Sequence, residues 1–150
     1  MAGKTNNISI GSCGEFFVAA ELERRGFTVA LPMGNTPTFD ILAIDRKTNR
    51  QIAIQVKTTS YKRKCWKLGV KNERIQSKNI FYIFVCLNQM DTPAYHIVPS
   101  AVVAEEISKR YREWLNSLNR KGEPHKENTI REFHDKENRY LDQWNVLRIE

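Results

Sequence analysis

A chain of 150 residues with 41% apolar side chains has the size of one globular domain, able to bury roughly two-thirds of its unfolded surface. No apolar stretch approaches the ~20 residues that cross a bilayer, and Met1 to Asn6 lacks the apolar core of a signal peptide. The expectation is a single domain, 1–150, in the cytoplasm and without a membrane partner. A formal charge of +7 and a pI near 9.5 suggest a polyanionic partner. Cys13, Cys65 and Cys86 are odd in number and widely spaced, which fits neither a disulfide framework nor a zinc ribbon. His96, His125 and His134 are too scattered for a metal site defined by spacing.

In chain order, Ile10 to Arg25 reads as a helix, capped by Ser9 or Ser12 and stopped at Gly26. Phe27 to Leu31 follows as a strand, and Pro32, Gly34, Asn35 and Pro37 mark a turn. Two strands come next, Phe39–Asp45 and Gln51–Thr58, joined by a polar turn. Trp66 to Val70 predicts a short strand. Ile80 to Leu87 is apolar on both faces, as in a buried interior strand, and Tyr95 to Val98 returns beside it. Pro99 and Ser100 start a helix with Val103, Ile107, Tyr111, Trp114 and Leu118 at helical spacing. Ser117 to Asn138 is nearly devoid of apolar residues and reads as a long exposed connection. A last amphipathic segment places Tyr140, Leu141, Trp144 and Leu147 on one face. Such an order implies an α/β or α+β domain with one mixed sheet flanked by helices. No Gly-rich phosphate cradle and no Gly-x-Ser-x-Gly elbow occurs, which argues against nucleotide kinases and serine hydrolases.

The polar residues inside the apolar runs carry the functional signal. Asp40 opens one strand, and Gln55-Val56-Lys57 closes the next. Alternation puts Gln55 and Lys57 on one face, and hairpin pairing brings that face over Asp40. Each of these groups costs several kcal/mol to desolvate alone, a cost that a metal ion facing a phosphate would repay. Glu15 lies over the stripe of Val18, Ala19 and Leu22 when counted along a helix; an inward acid calls for a metal or a cation, and a first-turn acid favoured by the helix dipole is the alternative. Asp45 faces away beside a turn and reads as a turn residue. Between Lys57 and Arg74, Tyr61, Lys62, Arg63, Lys64, Trp66, Lys67 and Lys71 form a basic stretch with interleaved aromatics, suited to a phosphate backbone or to a charged sheet edge that discourages aggregation. Trp114 and Trp144 read as packing residues, with Trp66 the one candidate for stacking on bases. Thr58, Thr59 and Ser60 either bond phosphate oxygens or end the strand.

Glu15 on the first helix, Asp40 at the head of a strand and Gln55-Val56-Lys57 ending another together resemble the restriction-endonuclease-like nucleases, the PD-(D/E)xK superfamily. Gly14-Glu15-Phe16-Phe17-Val18-Ala19-Ala20-Glu21-Leu22-Glu23-Arg24-Arg25-Gly26-Phe27 looks like the opening helix of its Holliday-junction-resolvase-like branch, and Ile54 to Thr59 like its E-x-K-T strand. The resemblance implies a mixed β-sheet core flanked by helices in α-β-β-β-α-β order from Ile10 to about Val98, with a C-terminal helical extension. It also implies a magnesium-dependent DNA endonuclease, manganese being a substitute, with Asp40, Gln55, Lys57 and Glu15 as catalytic residues. The metal would be held by Asp40, Val56 through its carbonyl, Gln55 and Glu15, while Lys57 orients the attacking water. Gln55 departs from the pattern, standing where the family carries an acid, and lowers the site's attraction for a cation. Duplex targets suit a homodimer or higher homo-oligomer. Homing, restriction and junction-resolving members share one core, so the resemblance does not choose among them. The competing readings are a non-catalytic nucleic-acid-binding or assembly module on the same scaffold, and a small-molecule enzyme with an incidental basic loop.

Overall fold

The computed structural model describes residues 6–34 and 38–149; the leader Met1 to Thr5 and the turn residues Asn35 and Pro37 lie outside the described residues. Helix α1 spans Asn7–Arg24, three residues earlier than the apolar spacing predicts. Its cap is the Asn6 side chain, which accepts the Ser9 N–H at 2.8 Å, so neither Ser9 nor Ser12 supplies the capping oxygen. The predicted stop holds: Gly26 takes φ +94°, a left-handed conformation that glycine adopts without strain.

Seven strands follow the helix start: β1 Phe27–Ala30, β2 Ile41–Asp45, β3 Gln51–Thr59, β4 Cys65–Gly69, β5 Ile80–Cys86, β6 Ala94–Pro99 and β7 Ile130–His134. Helix α2, Ser100–Leu115, lies between β6 and β7. Five strands form a mixed sheet in the order β1-β2-β3-β5-β6, antiparallel throughout except at β3 against β5. Helix α1 and the C-terminal Trp144 and Leu147 cover one face, sharing a core with Val18, Leu22, Ile41, Ile52, Ile54, Val56, Ile83 and Ile97. A two-stranded ribbon of β4 and β7, together with α2, covers the other face over Tyr82, Phe84, Cys86 and Val98. Because both faces of β5 are covered, its run can be apolar throughout, as the sequence suggested. Among the described residues no helix is long and apolar enough to cross a membrane.

Three expectations need correction. A parallel pair requires a crossover, and the expected α-β-β-β-α-β order puts a helix there; here β4 and a short 3-10 helix at Val70–Arg74 make the passage. Alternate burial of Trp66 and Leu68 selects a strand, and the ten residues between Gly69 and Ile80 fall short of the ~12–15 that a helix needs to stand on its own. Secondly, the exposed connection predicted over 117–138 contains β7, which pairs antiparallel with β4 and fully buries Phe133, contributing roughly 2–3 kcal/mol. Thirdly, the last segment carries turns and a 3-10 helix at Trp144–Arg148 rather than an amphipathic α-helix. Trp144 and Leu147 still reach the core as predicted, and Leu118 lies beyond the end of α2, exposed.

Candidate active site

Strand β3 is longer than its neighbour. Strand β2 begins at Ile41 opposite Ile54, so the end of β3 from Gln55 onward loses its antiparallel partner and would leave backbone donors unpaired. Asp40 fills that gap. Its N–H donates to the Ile54 carbonyl at 2.8 Å, and its Oδ2 accepts the Val56 N–H at 2.8 Å, so a carboxylate continues the ladder where the strand stops. The N–H and C=O of a strand residue point toward the same edge, which turns the Val56 carbonyl toward the same opening.

Glu15 comes from the opposite direction, on α1. Gly14 lets the helix descend onto β3: a Cβ at this position would lie 2.9 Å from both Cβ and Cγ2 of Thr58, well inside van der Waals contact. Thr58 is therefore a packing residue beneath the helix, and β3 runs one residue past it. Glu15 is half-buried, and its carboxyl is raised above the usual carboxylate range. Burial is the largest cause, the negative charge of Asp40 adds to it, and the Lys57 ammonium acts against it. Glu15, Asp40 and Lys57, drawn from α1, the head of β2 and the end of β3, thus feel one another. Among the described residues neither Glu15 nor Lys57 makes a hydrogen bond or an ion pair.

Gln55 stands differently. It is 6% exposed, its Nε2 donates to the Thr38 carbonyl at 3.0 Å, and its Oε1 accepts from Asn72 Nδ2 at 3.2 Å. Asn72, itself buried on the 3-10 helix, also donates to the Tyr82 hydroxyl at 2.8 Å. The amide knits the segment before Asp40 to the sheet, using both of its ends. Asp45 is a turn residue as read from the sequence: its Oδ1 accepts the Lys47 N–H at 2.9 Å and Oδ2 accepts Arg148 Nε at 2.9 Å, and these bonds hold its carboxyl below the usual range.

The basic stretch divides. Tyr61, Lys62, Arg63, Lys67 and Lys71 are exposed and Lys64 is half-buried. Trp66 is not available for stacking: it is 3% exposed, donates Nε1–H to the Val85 carbonyl at 3.0 Å, and packs on Phe84, His96 and Phe133. Alternation explains the correction, since Trp66 and Leu68 face the sheet while Lys67 faces out. Trp114, at the margin of the fold, stacks on His125 and Tyr111.

Sequence spacing missed two constellations that the fold assembles. His96 is fully buried with Nδ1 2.6 Å from Asp135 Oδ2. Cys65, Glu132 and His134 meet at one end of the β4–β7 ribbon, their donor atoms within 4.8 Å of one another. The signal was Glu132-x-His134, one face of a strand, legible only once Ile130–His134 is taken as a strand.

No family model and no curated protein matches the chain. Among solved structures it is similar to the bacterial homing endonuclease I-Ssp6803I, with a TM-score of 0.57 at 12% identity over 95% of this chain and 92% of that one. It is also similar to Hjc, a Holliday junction resolvase of Archaeoglobus fulgidus, with a TM-score of 0.48 at 14% identity over 83% and 84% of the two chains. Together with the mixed sheet, the α1 placement and the strand order, the likeness to the homing endonuclease shows that the chain has the restriction-endonuclease-like fold.

Proposed function

We propose that this protein is a divalent-metal-dependent endonuclease that hydrolyses DNA phosphodiester bonds. The observation that carries the reading is that Glu15, Asp40 and Lys57, half-buried around the open end of β3, feel one another's charge, while among the described residues neither Glu15 nor Lys57 is hydrogen-bonded or ion-paired. Two carboxylates that repel each other, beside a strand carbonyl, make a hard oxygen donor set suited to magnesium or manganese. Asp40, Glu15 and the Val56 carbonyl would hold the ion. When bound, it would polarise the phosphoryl oxygen and offset the charge that develops on it.

The chain's own groups do the rest. Lys57 stands near the end of β3, where its ammonium would orient a water and a phosphate oxygen by charge-assisted hydrogen bonds. Asp40 is fixed by the Val56 N–H, so its second oxygen is presented in one direction. Gln55 is a positioning residue, holding Thr38 and thereby the approach to Asp40. The exposed cations of the β3–β4 loop, Lys62 and Arg63 with Lys67 and Lys71, supply sequence-blind attraction for the backbone, and two copies of the chain would place two such sites on the two strands of a duplex.

Supercoiled plasmid incubated with Mg²⁺, Mn²⁺ or EDTA tests the proposal. Nicking is expected with either metal, none in EDTA, and a loss in Asp40→Ala and Lys57→Ala of at least about a hundredfold. The engagement of Gln55 with Thr38 and Asn72 favours a second reading, a binding module without hydrolysis. Salt-sensitive DNA binding with no nicking in either metal decides for that module.

A further inference from the structure

Cys65 is the first residue of β4 and pairs directly with His134, the last of β7. Glu132 is two residues before His134 and so emerges on the same face of the ribbon. His134 Nε2 lies 3.2 Å from Cys65 Sγ and 2.9 Å from Glu132 Oε2. Both approaches fall on the same ring nitrogen. A nucleophilic triad needs the opposite arrangement, in which the histidine uses one nitrogen for the thiol and the other for the acid. Sulfur, nitrogen and carboxylate oxygen instead converge on a common point.

We propose that Cys65, His134 and Glu132 form a binding site for a zinc-class transition metal, separate from the site at Asp40. Around a tetrahedral zinc the bond lengths require about 3.5 Å between sulfur and nitrogen and about 3.4 Å between nitrogen and oxygen. The present separations fall short by only a few tenths of an ångström, which small rotations of half-buried side chains supply. A thiol and an imidazole are soft and borderline donors that select zinc or cobalt over magnesium, whereas Glu15 and Asp40 offer oxygen alone. Three protein donors leave one position open to water. Coordination releases the thiol proton against burial and the Glu132 charge, which hold the Cys65 thiol above its ordinary value, while the neighbouring cations Arg110 and Lys136 act the other way on the thiol and work against a dication. The ion would staple β4 to β7 at the root of the basic 60–64 loop, where the Lys64 carbonyl already accepts the Asp135 N–H at 3.0 Å. The assignment does not depend on whether the protein cleaves DNA.

Cobalt(II) titrated into the metal-free full chain tests it, because thiolate coordination produces a charge-transfer absorption that an oxygen site cannot. One equivalent is expected to develop that band, zinc to bleach it stoichiometrically, and excess Mg²⁺ to leave it unchanged. The band persists in Cys13→Ser, whereas Cys65→Ser and the conservative Glu132→Gln each weaken cobalt binding, Cys65→Ser by at least about a hundredfold, the upper range of what even a partner behind the ligands costs. Glu132 lies on an outward-facing position of β7, so its variant reads the site even if the cysteine variant folds poorly. Absence of the band, or a band equally strong in Cys65→Ser or in Glu132→Gln, would overturn the assignment.

Discussion

Replacing Gly14 by alanine moves Glu15 without touching it. On an isolated helix the change would stabilise by roughly 0.5–1 kcal/mol, the usual penalty of an interior glycine. In this fold the new methyl meets Cβ and Cγ2 of Thr58 at 2.9 Å, with the hydroxyl oxygen nearer still. Turning the threonine relocates its hydroxyl and methyl, but Cβ stays in place, so α1 must retreat from β3. Packed carbon atoms sit ~3.5–4.0 Å apart, and the retreat is therefore about 1 Å. Overpacking of this kind costs ~1–3 kcal/mol; after the helical gain, the net loss is about 0–2.5 kcal/mol, centred near 1, read as a lower urea midpoint. A reacting group displaced by about 1 Å loses on the order of a hundredfold in rate, which plasmid nicking would report. Thr58→Ala in the same chain removes two of the three crowding atoms, so the double variant recovers part of both losses. A Gly14→Ala protein that melts higher and nicks normally would refute the close seating of α1 on β3, and with it the placement of Glu15.

Two further outcomes follow from the same geometry. Glu15→Gln should raise the melting temperature of the metal-free protein at neutral pH while weakening Mg²⁺-dependent nicking. Its raised carboxyl penalises folding fully above the folded pKa and not at all below the ordinary carboxylate value, so the gain should fade as pH falls through that window; a gain that grows instead, in a thermal melt series, would contradict the burial and repulsion invoked. Trp66→Phe should lower stability and leave DNA affinity unchanged, because the indole is internal, whereas Lys62→Ala with Arg63→Ala should flatten the slope of log affinity against log salt by about one for each phosphate no longer neutralised. Titration in fluorescence anisotropy separates the two, and a Trp66→Phe protein with the altered salt slope would return the tryptophan to the interface.

The core was readable because its signals are local. Alternation and a two-sided apolar run mark β2, β3 and β5, and Gly26 ends α1 where a left-handed residue must stand. What the sequence hid depends on partners distant in the chain. Strand β7 carries just two buried apolar or amphipathic positions, Arg131 and Phe133, among charged neighbours, and takes its strand character from pairing with β4 some 65 residues earlier. Arg131 counts as solvated by composition, yet it lies over the Tyr111 ring and pairs with Glu73, which lets a guanidinium occupy a buried position. The same distance conceals the site's wiring. Asp40, Lys57 and Glu15 could be named from element heads and ends, but Thr38, Asn72 and Tyr82 as the surroundings of Gln55 could not, since none of them lies within the element that presents it.

That surrounding decides what the glutamine does, and Gln55→Glu puts it to the test. Read as a weakened ligand, Gln55 should gain from an acid in its place, as the nucleases it resembles carry: more charge, tighter metal, faster nicking. The hydrogen bonds argue the reverse. Nε2 of the amide donates to the Thr38 carbonyl at 3.0 Å in a site 6% exposed, and a carboxylate would set two acceptors face to face with no donor between them. Losing the bond and burying the mismatch costs about 1–3 kcal/mol, and the Asp40 carboxylate, bonded to the N–H of the next residue, Val56, adds negative charge nearby. The substituted acid is therefore pushed upward: above its folded pKa the full cost applies, while below the ordinary carboxylate value it is protonated and its O–H donates to Thr38 as the amide did. Gln55→Glu should accordingly be less stable at neutral pH, approach the parent as pH falls, and nick no faster. Faster nicking at undiminished stability would mean that the amide is a substitute ligand after all, and that Thr38 can be released without loosening Asp40.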